Sequence, residues 1–233
     1  MVLVQDLTAC IEHTLLKQEA DETVIGKLCE EAIANAFFGV CVNSCWVSFT
    51  SHLLKQTKVK VISTAGFPLG TASTRSKCSE TEQAFTDGAQ EVDFVMNVGW
   101  LKSGQPHKVL NEFKQLVKVA SLSPLKVILE TSLLTQDEIK LGCKLALEAG
   151  IAFVGIAFVK TSTGFNSMGA NASDVQLMSS IVSPHAGVKA SGGIRSLSSA
   201  LAMLDAGAER LGTSNGLTIL AELKKVDNLS RKL

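Results

Sequence analysis

The sequence predicts an α/β fold: a single-domain (β/α)8 barrel over residues 1–233, with a short N-terminal helix. Three observations carry this expectation. Strand-like and helical patterns alternate from end to end in about eight units, which implies a parallel sheet with helices outside it. Eight such units in ~230 residues is the size of a closed barrel. The run Ile151 to Phe158 is apolar throughout and reads as a strand buried on both faces, as in a parallel sheet. A doubly wound open sheet is the alternative, but no Gly-x-Gly-x-x-Gly turn follows the first strand.

Each element has its own signal. Val2 to Ala9 is a short amphipathic start, and Ile11 to Leu16 sets His13 and Thr14 in a strand-like run. Thr23 to Ala36 has a helical period, with Leu28, Ala32 and Ile33 on one face. Gly39 to Asn43 is a buried strand ending in a polar residue, and Ser44 is placed to cap a helix running to about Lys55. Val59 to Thr64 is the next strand, Ala65 to Gly70 its loop, and Ser73 to Gly88 a helix closed by glycine. Glu91 to Asn97 is a strand with Asp93 inside it, followed by one helix over Trp100 to Ser121. Lys126 to Thr131 reads as a strand ending in Glu-Thr, and Thr135 to Ala149 as a helix. Ile151 to Phe158 is an uncharged strand that delivers Lys160. After a helix near Ser173 to Val182, the strand Gly187 to Gly193 delivers Lys189. A helix over Ser196 to Ala206, the run Arg210 to Gly216 and a helix over Leu217 to Lys225 complete the pattern.

Bulk composition narrows the function. Apolar residues make up 46% and charged residues 19%, as in a well-buried globular chain. Lys plus Arg equals Asp plus Glu at 22 each, which gives no support for a nucleic-acid or anionic-membrane surface. The six cysteines form no framework of close pairs and read as free thiols of a reducing compartment. Cys41, Cys45 and His52 lack the paired spacing of a zinc site. We see no basic-then-apolar leader and no apolar run of ~20 residues, so a cytoplasmic enzyme is expected.

In a barrel of this kind the site lies at the C-terminal ends of the strands. The polar residues placed there are Asn43, Ser63, Thr64, Asn97, Glu130, Thr131, Lys160, Thr161, Lys189, Ser191 and Thr213 to Asn215, with Asp93 deeper. His13 is the one histidine near a predicted strand and reads as a hydrogen-bonded structural residue. No Walker-type phosphate loop is present. What remains is amine chemistry, a lysine forming a Schiff base with a carbonyl. An unperturbed lysine has a pKa of ~10.4, so about one in a few thousand is neutral at pH 7. A second cation at ~4 Å in an effective dielectric of ~20 supplies the roughly 4 kcal/mol needed to lower that value by ~3 units. Desolvation works in the same direction. Two lysines from neighbouring strands therefore activate one of the pair. Asp93 is the natural proton carrier for a retro-aldol step, and neutralising Lys189 is compatible with that role. Gly192-Gly193 and Gly212 to Gly216 each open a helix, where backbone amides bind anions, so a phosphorylated substrate is expected.

These residues carry a resemblance. His13-Thr14-Leu15-Leu16, Val40-Cys41-Val42-Asn43, Gly66-Phe67-Pro68-Leu69-Gly70 and Glu91-Val92-Asp93 match motifs of the deoxyribose-phosphate aldolase family of class I aldolases. So do the runs Phe158 to Phe165 and Val188 to Arg195, which together are highly specific. The chain resembles that family over nearly its whole length. The resemblance implies reversible cleavage of 2-deoxy-D-ribose 5-phosphate to D-glyceraldehyde 3-phosphate and acetaldehyde. It implies Lys160 as the Schiff-base lysine, Lys189 as the lysine that lowers its pKa, and Asp93 as the proton-transfer acid/base. Gly164, Gly192, Gly193, Ser214 and Asn215 match positions around the substrate phosphate. No metal or organic cofactor is expected, and a homo-oligomer is left open. Glu12 stands where many family members have Asp, Ser44 where many have Pro, and Ala65 where Val is more usual. The chain has no tyrosine, so a tail tyrosine used by some members for proton exchange has no counterpart, and slower exchange at the enamine carbon is expected. Another lysine-dependent phosphosugar aldolase, a phosphosugar isomerase and a non-catalytic phosphosugar-binding barrel are the alternatives.

Overall fold

A computed structural model describes residues 4–150, 156–166 and 168–230. The strands are β1 Ile11–Leu15, β2 Gly39–Val42, β3 Lys60–Ala65, β4 Glu91–Val95, β5 Leu125–Ile128, β6 Ile156–Lys160, β7 Gly187–Ser191 and β8 Arg210–Thr213. They pair in sequence order, all parallel, and β8 closes onto β1. The result is the closed (β/α)8 barrel expected from the alternation. The helices are α1 Val4–Thr8, α2 Glu22–Ala34, α3 Val47–Leu54, α4 Thr74–Thr86 and α5 Val98–Lys102. They continue with α6 Pro106–Ala120, α7 Gln136–Glu148, α8 Ala172–Val182, α9 Leu197–Asp205 and α10 Gly216–Ser230. Of the predicted strand Ile151 to Phe158, residues 151–155 lie outside the described residues, as do Val2 and Leu3 of the predicted start.

Alternation sends each strand's side chains to two different places. Outward residues pack on the helices; Phe94 of β4, for example, meets Phe113 of α6 edge-on with ring centroids 5.4 Å apart. Inward, Leu16, Cys41 and Ile62 form a small apolar cluster of their own. Much of the remaining interior is charged: Glu12, Asp93, Lys126 and Lys189 are all fully buried.

Three local expectations are corrected. The single helix over Trp100 to Ser121 is two helices. Gly104 adopts φ +67° and Pro106 sits in the first turn of α6, so the chain turns where proline cannot continue a helix. The strand predicted to reach Thr131 ends at Ile128; Glu130 takes a left-handed backbone (φ 59°, ψ 62°) and a tight turn follows at Thr131–Leu133. Ser44 does not cap α3. Its hydroxyl donates to Glu80 at 2.9 Å, and that carboxylate also accepts from the Gly66 amide at 2.8 Å, tying the loops after β2 and β3 together. Hydroxyl caps start other helices. Ser73 caps α4, and Thr135 and Ser196 form reciprocal capping boxes on α7 and α9.

Candidate active site

Barrel register assembles the centre. Lys160 and Lys189 are partners across β6 and β7, and Asp93 and Lys126 are partners across β4 and β5. Residues level with one another on adjacent strands point to the same side, so all four converge inside the barrel. One oxygen of Asp93, Oδ2, accepts from Lys160 Nζ at 2.8 Å and from Lys189 Nζ at 2.7 Å. The other, Oδ1, accepts from Lys126 Nζ at 2.9 Å. Glu12 from β1 pairs with Lys189 and stands 3.5 Å from Lys126. Glu91, at the start of β4, lies 2.5 Å from Lys126. Gly212 of β8 leaves room for this packing. A Cβ there would meet Lys189 Cε at 3.0 Å and the Ser191 side chain at 2.9 Å.

The three lysines share the network but not their acidity. Burial lowers Lys160; Asp93 pulls it back up; the Lys189 charge adds to the lowering, and the net direction is down. Burial also opposes charge on Lys189 and Lys126. There the carboxylates win: Asp93 and Glu12 raise Lys189, and Asp93, Glu12 and Glu91 raise Lys126. Burial would raise Asp93, but Lys126, Lys160 and Lys189 together hold it well below the usual carboxylate range. Among the causes that lower Lys160, desolvation leads and the Lys189 cation follows, the reverse of the expected order, with the opposing Asp93 charge between them in size.

An open cavity of about 450 Å³ reaches this centre from the C-terminal end of the barrel. Lys160 lines it, whereas Asp93 and Lys189 lie beneath it with no exposed surface. Its walls include Gly164, Gly192, Gly193, Ser214 and Asn215, so all five residues expected around a phosphate meet in one place. Gly164, Gly192 and Gly193 have φ of 83°, 86° and 75°, the left-handed region open to glycine. A Cβ on Gly164 would stand 3.6 Å from Gly192 Cα, so the loops after β6 and β7 pack closely. Thr213 Oγ1 donates to the Ile194 carbonyl at 2.6 Å and accepts from the Asn215 amide at 2.9 Å, locking the loops after β7 and β8.

Other residues collected from the strand ends serve the frame. Asn97 caps α5 by accepting from the Trp100 amide at 3.1 Å, and the Asn43 side chain donates to the Leu16 carbonyl at 3.2 Å. His13 is hydrogen-bonded to Glu31 of α2 at 2.8 Å. Lys126, Glu12 and Glu91 were not among the collected site residues, yet they complete the charge network. Lys126 is also a cation inside an apolar run, but it lacks the small residues and glycine that follow Lys160 and Lys189. All six cysteines are free thiols, and no group of three or more His, Cys, Asp or Glu among the described residues is arranged to hold a metal. No helix among the described residues is long and apolar enough to cross a membrane.

The family model described as "DeoC/LacD family aldolase" matches residues 1–222. The chain belongs to this family. Within it, the chain is similar to a deoxyribose-phosphate aldolase of Mycoplasma capricolum subsp. capricolum, at 46% identity over 95% of this chain and 98% of that one. It is 50% identical to a deoxyribose-phosphate aldolase of Bdellovibrio bacteriovorus, over 92% of this chain and 95% of the relative. Among solved structures it is similar to the deoxyribose phosphate aldolase of Aeropyrum pernix, described as having a unique tetrameric structure. That match has a TM-score of 0.88 and 33% identity, over 96% of this chain and 93% of that one. A 4-hydroxy-tetrahydrodipicolinate synthase from Methylacidiphilum fumariolicum, 14% identical with a TM-score of 0.61, shares the fold alone. As a DeoC/LacD family aldolase, the chain is a carbon–carbon lyase built on a closed (β/α)8 barrel.

Proposed function

We propose that this aldolase reversibly cleaves 2-deoxy-D-ribose 5-phosphate to D-glyceraldehyde 3-phosphate and acetaldehyde, through a Schiff base on Lys160. The identity to deoxyribose-phosphate aldolases over more than nine-tenths of the chain supports the substrate. One observation carries the choice of nucleophile. Of the three lysines on Asp93, Lys160 alone has its pKa lowered, and it is the one that lines the cavity. Amine attack needs the neutral form.

The neutral amine of Lys160 adds to the C1 aldehyde of the open-chain sugar, and loss of water leaves an iminium. Asp93, ionised and one hydrogen bond from Lys160, accepts the C3 hydroxyl proton directly or through a water. The C2–C3 bond then breaks. Its electron pair moves into the enamine as C3 becomes the aldehyde of glyceraldehyde 3-phosphate. Proton return to C2 of the enamine and addition of water release acetaldehyde and restore the amine. Lys189, kept protonated by Asp93 and Glu12, lowers Lys160 further and favours negative charge at Asp93. The amides around Gly164, Gly192 and Gly193, with Ser214 and Asn215 at the start of α10, take the phosphate. One barrel domain carries all of these roles.

Borohydride added with acetaldehyde tests the reading. A stable adduct that peptide mapping places on Lys160, and that is lost in Lys160→Leu, is the expected result. No adduct, or one spread over surface lysines, overturns it.

A further inference from the structure

Glu130 is a buried carboxylate that the reaction above leaves unused. It stands just past the end of β5 and is 2% exposed. Its backbone lies in the left-handed region, φ 59° and ψ 62°, where a glycine would sit without strain. A residue with a long side chain held in such a conformation points to a use for that side chain.

Among the described residues, the hydrogen-bond partners of this carboxylate both belong to Thr163, in the loop after β6. Oε2 accepts from the Thr163 amide at 3.2 Å and from the Thr163 hydroxyl at 2.5 Å. The same hydroxyl accepts from the Phe165 amide at 3.2 Å. Thr163 Oγ1 is thereby occupied as donor and as acceptor, so this cavity-lining hydroxyl is not free to turn toward a ligand. The two bonds bracket Gly164, whose φ of 83° aims its backbone at the cavity. On the far side, the β6 loop is held to β7. Thr161 and Ser191 exchange two bonds of 3.0 and 3.1 Å, and the Ser191 hydroxyl donates to the Ser162 carbonyl at 2.5 Å. The loop is therefore gripped from both neighbours, and Glu130 supplies the β5 side. The Phe165 ring, which lines the cavity and is set by the same bracket, meets Phe67 edge-on with centroids 5.2 Å apart.

We propose that Glu130 is a positioning residue for the phosphate end of the substrate. Through Thr163 it holds Gly164 in the conformation that faces Gly192 and Gly193, and so sets preference for a phosphorylated over an unphosphorylated sugar. This inference rests on the proposed function, in which those glycines take the phosphate. Glu130 does not touch the reacting atoms, so its removal acts on binding of the phosphorylated substrate more than on the chemical step.

Steady-state kinetics with 2-deoxyribose 5-phosphate and with unphosphorylated 2-deoxyribose test this, in the unaltered enzyme and in Glu130→Leu, Glu130→Gln and Thr163→Val. Loss of a hydrogen bond to a charged group predicts that Glu130→Leu raises KM for the phosphorylated sugar about ten- to a hundredfold. Expected alongside are a kcat within about threefold and a kcat/KM for 2-deoxyribose within about twofold, both inside the context-dependence of single interactions. Glu130→Gln keeps an acceptor for Thr163 and is expected to restore most of the loss. Thr163→Val is expected to reproduce it, with the double variant Glu130→Leu/Thr163→Val no worse than either single one. Equal losses on both sugars, or a lowered kcat with KM unchanged, overturn the proposal. Should Glu130→Leu fail to fold, the Gln and Thr163 variants decide on the same readouts. Borohydride trapping with acetaldehyde separates the two levels. An unaltered enzyme that neither traps nor cleaves ends the parent reading, whereas intact trapping with an unchanged sugar preference ends only the role of Glu130.

Discussion

Among the described residues, buried lysines hold two charged sites, and they differ in one decisive respect. In the first, Lys160, Lys189 and Lys126 crowd around Asp93 under the cavity. In the second, Lys77 of α4 donates to Glu112 of α6 at 2.8 Å and to the Val95 carbonyl at 2.7 Å. Burial is the leading cause of a lowered pKa at both Lys77 and Lys160. Yet Lys77 has no exposed surface and lines no wall of the site cavity, while Lys160 does line it. A depressed pKa is therefore not sufficient to mark a nucleophile; the amine must also meet substrate. The second cluster ties α4 and α6 to the end of β4, two residues beyond Asp93. It belongs to the frame.

Three substitutions sharpen this contrast. The largest effect on turnover is expected from Asp93→Asn, because general acid–base groups contribute about 10²- to 10⁴-fold. Its charge is also what pulls Lys160 upward, so removing it extends the neutral amine to lower pH. Borohydride trapping on Lys160 is then expected to persist, and to reach lower pH, while cleavage is lost. Lys77→Met is next. Removing one partner of a buried ion pair costs roughly 3–5 kcal/mol, so the thermal midpoint falls steeply. Trapping on Lys160 is nonetheless expected to survive below that midpoint, as intact mass would show. A loss of trapping with no change in melting would erase the distinction between the clusters. Lys189→Leu comes last, because its effect is reversed by pH. The unaltered enzyme's kcat/KM is expected to rise with pH through the lowered value of Lys160. With the Lys189 charge gone, Lys160 moves up toward the ordinary lysine range. The rising limb of the pH profile therefore moves to higher pH, and trapping lost near neutrality is recovered on raising it. A limb that stays in place, or moves down, contradicts the role given to Lys189.

Salt and hydrogen-bond partners also differ in how far a linear chain reveals them. Lys160 and Lys189 stood out because each ends an apolar run and is followed by small residues and glycine. Lys126 sits inside Leu125 to Leu129 with no such ending, so nothing in the order of residues joined it to the other two. Glu12 was noticed only as a departure from the family pattern, and its pairing with Lys189 spans most of the chain. Glu130 looked like one more polar strand end. Its left-handed backbone and its grip on Thr163 come from the turn geometry after β5, which propensity does not encode.

What the sequence determined by itself was the repeating architecture and the presence of buried cations. Hydrophobic period, capping residues and glycine ends act over a few positions, and they carried the eight-unit barrel, the three residues proposed for the core of the site and the glycine loops. The division of labour among the lysines was decided by tertiary structure. Coulomb interactions fall off with distance, and barrel register alone sets which carboxylates stand within a few ångströms of each ammonium. Lys189 and Lys126 each face two or more carboxylates and keep their protons, whereas Lys160 shares a single one and opens to the cavity.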